Sequence, residues 1–325
     1  MPALARAPTR EYRTFTMDSH RWDGLEPRAG DIVICTYPKC GTTWTQRIVD
    51  LLIFQTPEPR PVVDTAPWVD SVLFHSSDED RTNLAGQAHR RFMKSHMPFD
   101  ALPVWDQVKY IHVARDGRDA CMSMHNHMLN MRPEFRQRAI TENMKDARFL
   151  AALAERGPPK PTAADAHDHY LDWIEAAEGE RTEAWGAELA FFEFETTYWR
   201  ERSRPNLLLV HYNDLKADLA GEMARIAAFL DIVVSPGVMP SLVEAAGFEA
   251  MKRDAAAIVP MAEDVWNGGA RQFIFKGANG RWREVLTEND VARYRTLAAR
   301  KWSPDQAAWI AGGRLAAGEP RDLSD

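Results

Sequence analysis

The stretch CTYPKCGTTW, residues 35–44, sets a lysine, a glycine and two threonines between an apolar run and a helical one. Those residue types suit an anion. A helix N-terminus offers backbone N–H groups through Cys40 and Gly41, Lys39 adds a positive charge, and Thr42 and Thr43 add hydroxyl donors. The spacing is not that of a Walker loop, in which lysine follows the second glycine directly; here Lys39 precedes Gly41 by two residues. Trp44 could face an adenine ring or fill the core. Farther along, Arg115 closes the run KYIHVAR and Ser123 follows eight residues later, so both could reach a further anion. Lys94 with His96, and His211 with Tyr212, close two more apolar runs. A magnesium-dependent kinase would place a carboxylate at such a point to hold its metal. Cations and imidazoles in that role suit a doubly anionic adenosine ligand without a metal.

Presenting these residues together requires the apolar runs 31–37, 90–96, 109–115 and 205–212 to be short strands, each leading toward a helical pattern. Nearly continuous apolar strands suit a parallel sheet buried on both faces. Helices are predicted over 42–54, over 116–129 with Asp116 as cap, and over 214–232. The expectation is an α/β fold over a single domain, residues 1–325, with a central parallel sheet flanked by helices like a P-loop nucleotide kinase, its ligands at the carboxyl ends of the strands. Residues 130–200 read as irregular helices broken at 156–161 and rich in aromatics: Trp173, Trp185, Phe191, Phe192 and Trp199. Together with Trp68 and Phe74 these could line an acceptor pocket, although an aromatic stripe is more often core. Residues 266–282, with four glycines in a basic and aromatic setting, are expected to form a mobile loop that closes as a lid.

In its order of motifs the chain resembles the cytosolic sulfotransferase family, which transfers a sulfuryl group from 3′-phosphoadenosine 5′-phosphosulfate (PAPS) to a hydroxyl or amine. That family's phosphosulfate loop, TYPKSGTTW, is matched by TYPKCGTTW with Cys40 in place of serine. Its arginine and serine for the 3′-phosphate are matched by Arg115 and Ser123, and its catalytic K-T-H-x-P by KSHMP with Lys94 and His96. Its adenine-side tyrosine is matched by Tyr212 in YNDLK. Its R-K-G-x-x-G-x-W loop is matched by FKGANGRW, where Lys276 and Gly277 carry over and Phe275 replaces the arginine. The resemblance implies His96 as general base, Lys39 and Lys94 as stabilisers of the transferring group, PAPS as co-substrate, no metal, and a small-molecule hydroxyl acceptor.

Composition bounds the alternatives. A formal charge of −7 gives no overall attraction to nucleic acid or an anionic membrane, and no apolar stretch approaches a membrane span, so the expected location is the cytoplasm. Three cysteines without C-x-x-C spacing indicate neither a disulfide framework nor a zinc knuckle. The histidine pairs 125/127 and 167/169 are separated by one residue, so helical neighbours in either pair do not share a face, and neither is read as a metal site. Two rival functions stay open: a P-loop kinase-like phosphotransferase, which leaves His96 and the Arg115/Ser123 pair unexplained, and a non-catalytic module binding adenosine bisphosphate, which leaves the histidine beside a lysine unexplained.

Overall fold

The computed structural model describes residues 1–74, 76–157, 160–179 and 190–324. Four parallel strands form the central sheet: β1 (Ile32–Thr36), β2 (Phe92–Ser95), β3 (Lys109–Ala114) and β4 (Leu207–His211), in the order β2-β1-β3-β4. Register is fixed by Ile32 opposite both Phe92 and Lys109, and by Tyr110 opposite Leu207. The continuous apolar character has a packing cause. Ile32 and Ile34 point into one core cluster with Ile48, Leu52 and Ile226, whereas Val33 and Cys35 point into the other with Tyr110, Phe191 and Phe194. A strand buried on both faces favours apolar residues at either parity, and the polar residues these strands do bury are hydrogen-bonded: His112 in mid-strand pairs with Glu195 at 2.8 Å, and Thr36, Ser95 and His211 stand at the carboxyl ends.

From β1 the chain passes to the edge strand β2 and then back across to β3, so the connections diverge on either side of β1. This is the switch point at which an open α/β sheet presents a crevice at the carboxyl ends of its strands. Helix α1 (Thr42–Phe54) follows β1, and α2 (Gly117–Leu129) follows β3, with the Asp116 side chain accepting from Arg118 N as the expected cap. The predicted helix over 214–232 is two helices, α3 (Tyr212–Ala217) and α4 (Leu219–Phe229). Asp218 leaves helical geometry at φ −144° and uses its carboxylate to cap the second through Gly221 N, which the apolar periodicity does not reveal. Residues 266–282 are not wholly loop either: Gly269–Phe273 forms a short helix. Among the described residues, no helix is long and apolar enough to cross a membrane.

Candidate active site

Beyond Thr36 the chain turns with Lys39 at φ +71° and Gly41 at φ +109°. Gly41 is required twice over. The left-handed conformation is strained for any side chain, and a Cβ here would meet Tyr212 Cδ2 at 3.0 Å. As N-cap of α1 it supplies no side-chain hydrogen bond, so the first N–H groups of the helix, at Thr42 and Thr43, remain available to an anion. Thr42 Oγ1 lies 2.6 Å from Thr36 Oγ1, which pins the helix start to the end of β1. Cys40 takes no part in the cavity: its thiol is buried in the core, and its N–H is given to Tyr37 O at 3.2 Å.

His96 follows β2 directly. Its backbone N–H is held by Asp70 Oδ2 at 3.1 Å, and Ser95 Oγ donates to the same oxygen at 2.7 Å. Burial raises the Asp70 carboxyl to about 6. The imidazole Nδ1–H donates to the Thr36 carbonyl at 2.7 Å, so Nε2 carries the lone pair, and it has no protein partner among the described residues. Burial, then the positive charge of Lys94, holds this imidazole well below its usual value, so it is neutral. Trp68 meets the ring edge-on, with centroids 5.0 Å apart, and offers its face to Lys94 Nζ at 4.0 Å.

Neither Lys39 nor Lys94 pairs with a carboxylate among the described residues. Lys94 is cradled by Trp68, and Lys39 lies 4.9 Å from the centre of the Phe273 ring and donates to His127 Nδ1 at 3.2 Å. Burial lowers the Lys94 ammonium to about 7, and burial with repulsion from Arg115 lowers that of Lys39 to about 8. The charge of Asp70 offsets the lowering of Lys94 only in part, and burial outweighs it, so both ammonium groups remain short of negative charge.

Arg115, one residue past β3, stacks 4.3 Å over the Tyr212 ring and donates to Lys39 O, Ala278 O and Asn279 Oδ1. Ser123, on α2, lines the same cavity. The rings of Trp44 and Tyr212 pack edge to face at 5.3 Å, and Trp44 Nε1 donates to Ala246 O at 2.8 Å, so the indole is fixed at the cavity wall. Lys276 is exposed, its ammonium 5.3 Å from the Phe275 ring. Gly277, at φ +58°, lies where a Cβ would strike Phe248 at 2.6 Å, and its carbonyl accepts from Lys216 Nζ at 2.6 Å. His211 is excluded from the cavity: its ring nitrogens are engaged by Ile310 O and Asn213 N, and burial lowers it to about 4.

The site residues expected from the sequence, Cys40 and His211 apart, border one cavity of about 800 Å³. Eight lysines and arginines line it against one carboxylate, that of Asp80, which is itself paired with Arg21 at 2.9 Å. In a chain of net charge −7 this is a concentrated positive field. The remaining wall is apolar and carries six of the thirteen methionines. Trp68 and Phe74 belong to that wall, but Trp173, Phe191, Phe192 and Trp199 are buried in the core, and Trp185 lies outside the described residues.

Sequence reasoning missed two cationic-site residues. Arg281 lies 5.2 Å from the Phe275 ring, makes no hydrogen bond or ion pair among the described residues, and is lowered by burial and then by repulsion from Arg115. His127 carries no anion-site signal in the sequence, where its spacing from His125 bears only on a shared metal. The two histidines do diverge as helical spacing requires, His125 Nε2 reaching Ala163 O at 3.1 Å while His127 meets Lys39. Around the other pair, Asp165, His167 and Asp168 bring ligand atoms within 4.8 Å of one another at the exposed start of a helix, where Asp165 is the cap and His167 pairs with Asp290.

Residues 29–303 match the family model described as sulfotransferase domain. The chain is 35% identical over 317 residues to a glycolipid sulfotransferase of Mycobacterium bovis, covering 93% of this chain and 94% of that one. It is 24% identical to sulfotransferase 1E1 of Bos taurus, with 85% and 84% covered. In architecture it is similar to a mouse sulfotransferase complexed with PAP (TM-score 0.63, 18% identity, 89% and 90% covered) and to retinol dehydratase in complex with androsterone and inactive cofactor PAP (TM-score 0.66, 20% identity, 88% and 84% covered).

Proposed function

The chain belongs to the sulfotransferase-domain family, and from that premise we propose a division of labour for its cavity: PAPS is held by the cations at the strand ends, and its sulfuryl group passes to a hydroxyl of an amphiphilic acceptor lying against the methionine-rich wall. The observation that carries this reading is the His96 imidazole, neutral, with Nε2 free of a protein partner among the described residues and beside it two lysines that pair with no carboxylate there.

The residues fit the donor's charges. Lys39, Thr42, Thr43 and the N–H groups after Gly41 would receive the phosphosulfate, and Arg115 and Ser123, with Arg281, the 3′-phosphate. Tyr212 and Trp44 would flank the adenine, and Lys276 and Gly277 would close from above. Cys40 contributes the shape of the turn rather than a ligand contact. In the transfer, the acceptor oxygen forms a bond to sulfur while the bond from sulfur to the bridging phosphate oxygen breaks. The acceptor proton passes to His96 Nε2, and adenosine 3′,5′-bisphosphate leaves. Negative charge then grows on the bridging and sulfuryl oxygens, where Lys39 and Lys94 stabilise it in a site already short of anions. No step of this account calls for a metal.

The acceptor class follows from the wall. Methionine is unbranched and adaptable, suited to an apolar body of variable outline. The glycolipid named for the mycobacterial relative is an amphiphile of that kind. The test is a mass-spectrometric screen of hydroxyl amphiphiles with PAPS, scoring sulfated products, in wild type and His96→Ala. The variant is expected to lose about 10²–10⁴-fold in turnover with bisphosphate affinity near wild type. Near-wild-type transfer by His96→Ala, with transfer rate-limiting, overturns its role as base.

A further inference from the structure

His127 is the cavity imidazole that the transfer just described leaves unused. It lies on α2 four residues after Ser123, hence on the same helical face. Its Nδ1 is 3.2 Å from Lys39 Nζ, and its ring is wedged 4.6 Å from Trp266 and 6.0 Å from Phe273. Burial, then the charges of Lys39 and Lys94, keeps the imidazole neutral, so Nδ1 can accept from an ammonium and the proton resides on Nε2.

We propose that His127 is a positioning residue for Lys39, fixing the direction of its ammonium without cancelling its charge. A lysine is a point charge on a flexible four-carbon stem, and its use at one developing oxygen depends on being held. A carboxylate in place of His127 would hold it equally well, but would also neutralise it and repel an anionic donor. The imidazole and the face of the neighbouring Phe273 ring give direction and leave the charge intact. One of the three ammonium hydrogens is spent on Nδ1, and two remain for the oxygens of the transferring group.

The proposal rests on the sulfuryl-transfer reading, and its test separates the two. His127→Phe keeps an aromatic ring against Trp266 and removes the acceptor; His127→Asn keeps an acceptor oxygen near the Nδ1 position. Steady-state kinetics with PAPS are expected to show His127→Phe losing about 10–100-fold in kcat, the weight of one charge-assisted hydrogen bond, with its KM for PAPS changed less than about threefold. His127→Asn is expected within about fivefold of wild type. A merely structural role would lower both variants alike or leave kcat untouched, and either result overturns the proposal. Wild type that transfers to no acceptor overturns the reading of the site instead. Should His127→Phe fail to fold, ¹⁵N NMR of wild type decides: protonation at Nε2 with an accepting Nδ1 is expected, and a proton on Nδ1 overturns the assignment.

Discussion

At the scale of single residues, the working groups are defined by what they lack. His96 is kept neutral by burial and by Lys94, so it is a base already free of its proton at neutral pH. The lysines run the other way. With ammonium groups lowered to about 7 and about 8, each is charged below that value and loses its charge as pH rises through it. The expected pH profile of kcat/KM for the donor therefore has its acid limb below 6.5 and falls on the alkaline side from about pH 7–8. A bound anion favours the charged lysines, so the alkaline limb of kcat is expected at higher pH than that of kcat/KM. A kcat/KM level to pH 9.5 contradicts the depressed lysines. Arg281 carries a second expectation. This arginine forms no ion pair among the described residues, and burial and repulsion from Arg115 outweigh the charges of Asp119 and Glu284, so an anion shared with Arg115 would relieve it. Arg281→Ala should weaken adenosine 3′,5′-bisphosphate by about 10–100-fold and adenosine 5′-monophosphate by less than about threefold, read by calorimetry. Equal losses for both ligands remove Arg281 from the 3′-phosphate.

At the scale of elements, the loop bearing Ala278 and Asn279 is bound to Arg115 by three hydrogen bonds, and Gly280 N donates to Asp119 at 2.8 Å. A phosphate arriving at Arg115 must share or replace those partners, so loop and ligand are coupled through one guanidinium. We propose residues 266–282 as a lid that closes on the cofactor, as their glycines suggested. Amide hydrogen exchange across 274–281 is expected to slow on saturation with the bisphosphate, and unchanged exchange there counts against closure. Much of this layout was legible in the chain. The four strands, the helices after β1 and β3, and the residues at the strand ends follow from apolar runs broken by polar ones, a pattern that burial on both sheet faces enforces. What was not legible depends on approach between distant segments. Arg281 is one arginine among many until the fold carries it to Arg115, a separation of 166 positions. Asp70 reads as an ordinary loop acid until Ser95 and His96 close on it. The break at Asp218 was hidden because capping competes with helical periodicity inside an otherwise continuous apolar pattern.

At the scale of the whole molecule, a chain of net charge −7 concentrates cations around a single cavity, and this costs stability when the cavity holds no anion. A lysine whose folded pKa is pushed below its ordinary value of about 10.5 favours the unfolded chain wherever the unfolded form is protonated. For Lys39 and Lys94 that penalty is complete below about pH 7, and it fades as pH climbs from there toward 10.5. An anion that binds only the folded state reverses it. Adenosine 3′,5′-bisphosphate at 100 times its dissociation constant contributes about 2.7 kcal/mol. For a chain of this length that corresponds to a rise of about 4 °C in Tm. Uncharged adenosine offers the same ring to Trp44 and Tyr212 but none of the charge, and at equal concentration it is expected to shift Tm by less than about 1 °C. Because the counter-charges proposed for the donor are the protein's own lysines and arginines, prior dialysis against EDTA is expected to leave the bisphosphate shift unchanged. Calorimetric melting at pH 7 measures all three. A shift that disappears with EDTA would mean that a metal completes the site, and an adenosine shift as large as that of the bisphosphate would move the source of affinity from the cations to the ring pocket.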